Sequence, residues 1–433
     1  MTYSISENGL IGSVGQWPEP PPDGIQVPDE VFQSLRRFAF EVEQADTLLT
    51  FTVKKGRELI RVHNYVGLLP LSCGTQLEIL PKIEPTTQGR SLLLTMLRYV
   101  RYSPCRTLTT AHTDPAHLTL WEVFVSAFLD TLTPLIQQGI QRAYVTIDGN
   151  ERFWKGKFQA VRQQRDNAQH AERLAVSYES LTADVPPNRI LKTALLQLNQ
   201  QTRSGINQRR IAQFLAVLDD VSVTESVRDD LNAIRRASRL FARYEPSLRW
   251  AEALLTGCGY GLKPGRMESL SLLFPMERVF EEYVAHGLRR YWPDAGNVSI
   301  QESSAHLVDE HVGTPKFKLR PDILIRYGAH TLVLDTKWKQ VNGNDKTGNY
   351  GIEQPDLYQL YAYGKKYAAT DLFLVYPANE TFREPLAVFG YDATTRLHVV
   401  PFDVTNLLAN EVEKLAQYAL SKHRENRDGP PLG

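Results

Sequence analysis

Apolar residues recur in two rhythms along this chain of 433 residues. From Leu48 to Ile83 the rhythm is short. "LLTFTVKK", "LIRVHNYVGLLPL" and "TQLEILPKI" are rich in β-branched and aromatic residues and are broken by Gly-containing turns, which predicts the strands of a small β domain. From Gly89 the period lengthens. "GRSLLLTMLRYVRY", "LWEVFVSAFLDTLTPLI", "NRILKTALLQLNQQT" and "DDLNAIRRASRLFARY" carry apolar residues at helical spacing. "TGCGYGLKPGR" holds glycines and a proline and reads as a domain boundary. The proline-rich "WPEPPPDGIQVPDE" near the start reads as an extended or mobile connector.

The last third alternates between the two rhythms. "FPMERVFEEYVAHGLRRYW" predicts a helix with Val279, Phe280, Tyr283, Val284 and Leu288 on one stripe. Strands follow at "VSIQES", "KFKLRPDILIRY" and "TLVLDTKW", then a helix at "QPDLYQLYAYGKKYA". Further strands are "DLFLVYP", "PLAVFGY" and "LHVVPFDV", and a closing helix is "NLLANEVEKLAQYALSKH". The expected fold class is multidomain α+β: an N-terminal β-rich domain, a helical middle region and a C-terminal α/β domain. The expected divisions are a mobile segment over 1–30, the β-rich domain over 31–115, the helical region over 116–265 and the α/β domain over 266–433.

Charge interrupts this pattern at one place. Asp322 opens an aliphatic run, and Asp335 and Lys337 close the next one. Buried strands rarely carry charge without a partner. Side chains alternate along a strand, so Asp335 and Lys337 share a face. A two-residue turn at Gly328-Ala329 sets the pairing of the two strands, and it puts Asp322 opposite Asp335. Two carboxylates facing each other repel unless something sits between them. A divalent cation bound by hard oxygens answers that repulsion, with Lys337 one step along to hold a water or a phosphate oxygen.

Composition narrows the reading. The chain is 42% hydrophobic and 23% charged, as in ordinary globular proteins, so disorder is not expected. Its formal net charge is zero, so a nucleic-acid surface must be a local patch rather than a global field. Cys73, Cys105 and Cys258 are far apart and form neither a metal spacing nor a disulfide framework. The first residues lack a basic stretch followed by an apolar one, and no apolar run approaches the ~20 residues of a membrane span. A cytoplasmic protein without membrane contact is expected. No G-x-x-x-x-G-K-[ST] phosphate loop occurs, so the chain is not expected to power translocation itself.

Pro321-Asp322, thirteen residues ahead of Asp335-Thr336-Lys337, resembles the signature of the PD-(D/E)xK nuclease superfamily. The second acid is Asp where the superfamily more often has Glu. The resemblance implies a Mg²⁺-dependent endodeoxyribonuclease, with Mn²⁺ as a substitute and double-stranded DNA as substrate. It implies that Asp322, Asp335 and Glu281 bind metal, that Thr336 adds its backbone carbonyl, and that Lys337 orients the nucleophile. Glu281 is the acid of "FEEY" on the upstream helix, with Glu282 as its adjacent competitor. "DLYQLYAYGKKY" resembles the Q-x-x-x-Y helix of RecB-like members, which adds Gln359 and Tyr363, one turn apart, to the site.

The whole series is narrower. "LFPMERVFEEYV", "LRPDILI", "LVLDTKWK" and "DLYQLYAYGKKY" resemble the C-terminal half of the McrC family, the nuclease subunits of McrBC-type modification-dependent restriction systems. "VHNYVGLLPLSCGTQLEILPKI", "QRAYVTIDGNERFWKGKF" and "PPNRILKTALLQL" resemble that family's earlier parts, in order. The chain is longer than the family pattern in its first thirty residues and middle helices. The resemblance implies a McrB-like AAA+ GTPase ring as partner, docked by the β-rich domain and stimulated by the chain. The competing expectations are a free-standing nuclease of repair or phage defence, and a non-catalytic activator of an AAA+ ring. Other charged stretches get plainer readings. The arginines of "RRASRLFAR" read as a solvated helix face, His112, Asp114 and His117 as a loop before a helix, and "WKGKF" as a turn with basic flanks.

Overall fold

The computed structural model of the protein describes residues 2–41, 45–83, 88–101, 103–109, 118–170, 172–236, 239–256, 272–293, 296–328, 330–392 and 394–428. His112, Asp114, His117, Cys258 and most of "TGCGYGLKPGR" lie outside the described residues. The chain divides into two compact units. One comprises Met1–Pro115, Gly259–Arg266 and Leu273–Gly433, and the other comprises Ala116–Cys258 and Met267–Leu272. The segments expected as a β-rich domain and as an α/β domain thus fall within one unit.

The expectation of a mobile segment over 1–30 does not hold. Thr2–Ser6, Leu10–Ser13 and Gly24–Val27 are strands. Thr2–Ser6 runs parallel to Gln76–Leu80, which pairs antiparallel with Tyr65–Pro70. Leu10–Ser13 lies between Gly24–Val27 and Arg57–Val62, and Leu49–Lys54 closes that second sheet. Ile5, Ile11 and Val27 enter one core with Phe32, Ile60 and Ile79, and burial of these apolar side chains stabilises the segment. Four of the prolines that suggested a mobile connector, Pro18, Pro20, Pro21 and Pro22, sit in the short link between Leu10–Ser13 and Gly24–Val27, and Pro28 follows the second of these strands.

A six-stranded sheet in the same unit runs in the order Gly296–Ile300, Ile323–Tyr327, His330–Thr336, Asp371–Pro377, Arg396–Phe402, Phe389–Gly390. His330–Thr336 and Asp371–Pro377 are parallel and almost wholly buried, as expected for strands covered on both faces. The helices Met276–Tyr291, Gln354–Lys366 and Leu408–Asp428 accompany the sheet. The expected strand "KFKLRPDILIRY" is two strands. Thr314–Lys318 pairs with His306–His311 in a separate two-stranded arm, and only Ile323–Tyr327 joins the sheet. The break falls between Lys318 and Ile323, where Pro321 offers no N–H to a ladder.

The second unit has the expected helices, among them Leu120–Gln137 and Pro186–Gln201. It also holds a sheet that the helical reading of this region missed. Ala143–Glu151 pairs antiparallel with Leu174–Thr182, which carries Lys157–Phe158 on its other edge. Ala143–Glu151 has no buried residue, so its sequence lacks the apolar-in, polar-out alternation that identifies a strand. Gly156 of "WKGKF" has a φ of +69° and turns the chain against Ser177 and Tyr178. Arg235 bonds Glu252 and Arg243 bonds the Gly139 carbonyl, so these arginines serve the unit's own packing.

Candidate active site

The Ile323–Tyr327 and His330–Thr336 strands form the expected hairpin. Tyr327 pairs with His330 and Ile323 with Leu334, the register that a two-residue turn requires. Gly328 has a φ of +59°, a conformation glycine adopts without steric cost. One further step along this register brings Asp322 opposite Asp335. The Lys337 N–H donates to the Val375 carbonyl at 2.9 Å. Asp335, Thr336 and Lys337 therefore leave the sheet at one end of a buried central strand.

Each charge at this end has partners. Lys337 Nζ lies 2.8 Å from Asp335 Oδ2 and 3.6 Å from Asp356 Oδ1. It also donates to Gln359 Oε1 at 3.4 Å. Gln359 donates to the Tyr363 hydroxyl at 2.7 Å, which in turn donates to the Arg320 carbonyl at 3.2 Å. The Gln354–Lys366 helix thus brings Gln359 and Tyr363 to the hairpin. The other tyrosines of that helix region are rim groups. Tyr358 is exposed, Tyr361 bonds Asp392, and Tyr367 bonds the Glu302 carbonyl.

Asp322 is held from one side. Its Oδ2 accepts from the Thr336 N–H at 2.7 Å and from the Thr336 hydroxyl at 2.9 Å. Simple alternation sends the Thr336 side chain to the face opposite Asp335. At the strand end, the hydroxyl reaches Asp322 instead. Glu281 and Glu282 part ways on the Met276–Tyr291 helix. Glu282 accepts from the Arg101 N–H and from Arg278 Nε. Glu281 accepts from Gln301 Nε2 at 2.7 Å, and the Gln301 N–H donates to the Asp322 carbonyl at 2.8 Å.

Burial sets the electrostatics. It pushes the Asp335 carboxyl up to about 7, with Asp322 adding repulsion and Lys337 opposing. It pushes Asp322 up to about 6, with Glu281 adding repulsion and the two Thr336 bonds opposing. Glu281 is raised by burial and by its acidic neighbours, including Asp335, against the pull of Gln301. Burial works against the charge of Lys337, but Asp335, Asp356 and Asp322 outweigh it and raise the amine to about 12. The three acids therefore feel one another. Among the described residues, however, no three His, Cys, Asp or Glu side chains are gathered tightly enough to form a ready ion site.

The sequence reading missed three contributors. Asp356 stands between Lys337 and Lys339, 3.0 Å from the latter. Gln301 links Glu281 to the Asp322 backbone. Glu7, on the turn after the first strand, accepts from Trp338 Nε1 at 2.7 Å. No spacing in the sequence signals any of these, because each depends on segments that meet only in the fold.

Among the described residues, no helix is long and apolar enough to cross a membrane. A model of the family described as "McrBC 5-methylcytosine restriction system component" matches residues 60–377. No curated protein sequence matches the chain. Two solved structures are similar to it. One is a chain of the refined half-complex from the tetradecameric assembly of Thermococcus gammatolerans McrB AAA+ hexamers with bound McrC. It is 17% identical over 97% of this chain and 100% of that one, with a TM-score of 0.69, a likeness of fold. The other is a chain of the Thermococcus gammatolerans McrBC complex, 20% identical over 67% of this chain and 88% of that one, with a TM-score of 0.48.

Proposed function

The chain belongs to the family of McrBC 5-methylcytosine restriction system components, and from that footing we propose that it is the nuclease subunit, hydrolysing DNA phosphodiesters at the Asp322, Asp335 and Lys337 end of the central hairpin. The observation that carries this reading is the pairing of two buried, mutually repelling carboxylates with an amine that Asp335, Asp356 and Asp322 hold cationic.

The donor set fits a divalent cation. Its oxygens are hard, burial makes all three acids resist ionisation, and their repulsion is relieved by a positive ion. Asp322 and Asp335 would hold the ion. Glu281 and the Thr336 carbonyl would complete the shell. Bound Mg²⁺, with Mn²⁺ as a substitute, supplies Lewis acidity, lowering the pKa of a water and offsetting charge on the phosphoryl group.

The protein's own groups do the rest. An amine raised to about 12 keeps its proton at neutral pH, so Lys337 is a donor rather than a base. It steadies the attacking water or the phosphate oxygen on which charge develops. Gln359, bonded to both Lys337 and Tyr363, fixes where that amine points. Gln301 fixes Glu281 in the same way.

The partner we infer is a McrB-like AAA+ GTPase ring that this chain binds and stimulates. The support is the family itself and the shared fold with a chain solved alongside McrB AAA+ hexamers. The test is to purify the chain with a McrB-like AAA+ GTPase, then assay methylated and plain duplexes with Mg²⁺, GTP and ATP. Metal-dependent cutting by wild type and none by Asp335→Asn is expected. Equal cutting by both would remove Asp335 from the reaction. Cutting by the chain alone, at the rate of the mixture, would favour a nuclease that needs no ring.

A further inference from the structure

Among the described residues, the strands His306–His311 and Thr314–Lys318 pair only with each other. They form an arm that leaves the six-stranded sheet after Gln301 and returns to it at Asp322. Its base is fixed. The Leu319 N–H donates to the Ala305 carbonyl at 2.9 Å and the Gln301 N–H to the Asp322 carbonyl at 2.8 Å. On the helix side, Lys366 Nζ bonds Asp309 Oδ1 at 2.7 Å. The arm is therefore rooted on a residue of the candidate site and on the residue that bonds Glu281.

Beyond the base, none of the described residues covers it. Every residue from Asp309 to Lys318 is exposed. Val312 at the tip is 89% exposed and Phe317 is 72% exposed. A lone two-stranded hairpin contributes little stability of its own. Exposed apolar side chains on such an element point to a partner. Pairing sets Lys318 beside His306 and Lys316 beside Val308, and both lysines are exposed. Among the described residues neither lysine has an acidic partner. Of the arm's acids, Asp309 is taken up by Lys366, and Glu310 remains near the tip.

We propose that this arm is a DNA-contacting ribbon that enters a groove of the duplex beside the cleaved phosphodiester, with Lys316 and Lys318 against phosphates and the Val312 tip and Phe317 against the groove wall. The proposal rests on the nuclease reading of the Asp322, Asp335 and Lys337 end. The dimensions agree. A two-stranded ribbon fits the major groove, about 12 Å wide. A six-residue strand spans about 20 Å, or roughly six base pairs at ~3.4 Å each. Charge complementarity selects the partner, since free lysines meet phosphates and release counterions.

The test uses the full-length chain in chelator, so that nothing is cut, and a fluorescent duplex titrated across a salt series. The expected result for Lys316→Ala/Lys318→Ala is about tenfold weaker binding near 0.1 M salt, a log–log salt slope shallower by about two, and an unchanged melting temperature. A Val312→Ser/Phe317→Ser chain is expected to bind more weakly with the slope unchanged. If wild type binds duplex and the lysine variant matches its affinity and slope, the arm proposal is overturned while the nuclease reading stands on its own cleavage assay. If the variant binds duplex normally but no longer captures the purified AAA+ partner, the arm is a protein contact and the proposal is overturned. A wild-type chain that binds no duplex at any salt overturns the arm proposal, while the nuclease reading is decided by the cleavage assay with the AAA+ partner.

Discussion

The indole N–H of Trp338 donates to Glu7 Oε1 at 2.7 Å, so the seventh residue of the chain braces the segment that follows Asp335 and Lys337. The same Oε1 accepts from the Lys82 N–H at 2.9 Å. The other oxygen, Oε2, is buried and has no partner among the described residues. Burial pushes this carboxyl from 4.5 up to about 7, with Glu277 adding repulsion against the bonds from Lys82 and Trp338.

A raised acid has a definite sign. The folded protein holds the proton that the unfolded chain has lost, so the contribution is fully present below about 4.5 and is lost as pH rises through about 7. Glu7→Gln keeps an acceptor for Trp338 and Lys82 and carries no charge. It is expected to melt close to wild type at pH 4.5 and above it at pH 8, by an amount corresponding to at most about 3 kcal/mol. Melting curves of both proteins from pH 4.5 to 8 test this. Parallel profiles would mean that Glu7 ionises freely in the folded state.

At the candidate site, shape-conserving variants separate chemistry from folding. Asp335→Asn and Lys337→Met keep volume in a buried place, whereas Ala would leave a cavity or an unpaired buried charge. Each is expected to reduce metal-dependent DNA cleavage by at least about a hundredfold while leaving partner binding intact. A variant that cuts at the wild-type rate would exclude its residue from the reaction.

Much of this site was legible because its logic is local. Gly328 sets the turn, the turn sets the register, and alternation along His330–Thr336 puts Asp335 and Lys337 on one face. The rest depends on segments far apart in sequence. Glu7 reaches Trp338 across more than three hundred residues, and Gln301 reaches Glu281 from a strand end that no pattern marks. The first thirty residues read as mobile because Pro18, Pro20, Pro21 and Pro22 crowd one short stretch, yet Ile5, Ile11 and Val27 lie in a core supplied by later strands. Ala143–Glu151 went unseen because exposed strands lack alternation. The arm was fused to its neighbour because "KFKLRPDILIRY" reads as continuous β sequence until Pro321 is weighed as a missing donor.

Asp322 offers a readout of metal binding without activity. A ligand that binds only the folded state raises its stability. Millimolar Mg²⁺ or Mn²⁺ is expected to raise the melting temperature of wild type at pH 7, and Asp322→Asn is expected to lose most of that rise. In chelator, Asp322→Asn is expected to melt no lower than wild type, because it removes a buried charge whose pKa is raised to about 6. Thermal melts of both proteins in chelator and in metal decide it. Equal metal-induced shifts would show that Asp322 is not a ligand.

Gln301 tests how the third acid is held. It sits at a φ of +49°, a region uncommon for side chains other than glycine and costing about 1–3 kcal/mol where it is strained. Two bonds hold it there, its N–H to the Asp322 carbonyl and its amide to Glu281. Gln301→Gly and Gln301→Ala both remove the amide, but only glycine also relieves the backbone. The glycine variant is therefore expected to melt above the alanine variant, by a difference worth about 1 kcal/mol. If Gln301 acts by steering Glu281, both variants should show the same reduced metal-induced rise in melting temperature and the same slowed cleavage. Their different stabilities make a purely structural explanation separable. Should the glycine variant keep the full metal response, the amide has no steering role, and Glu281 finds its place without it.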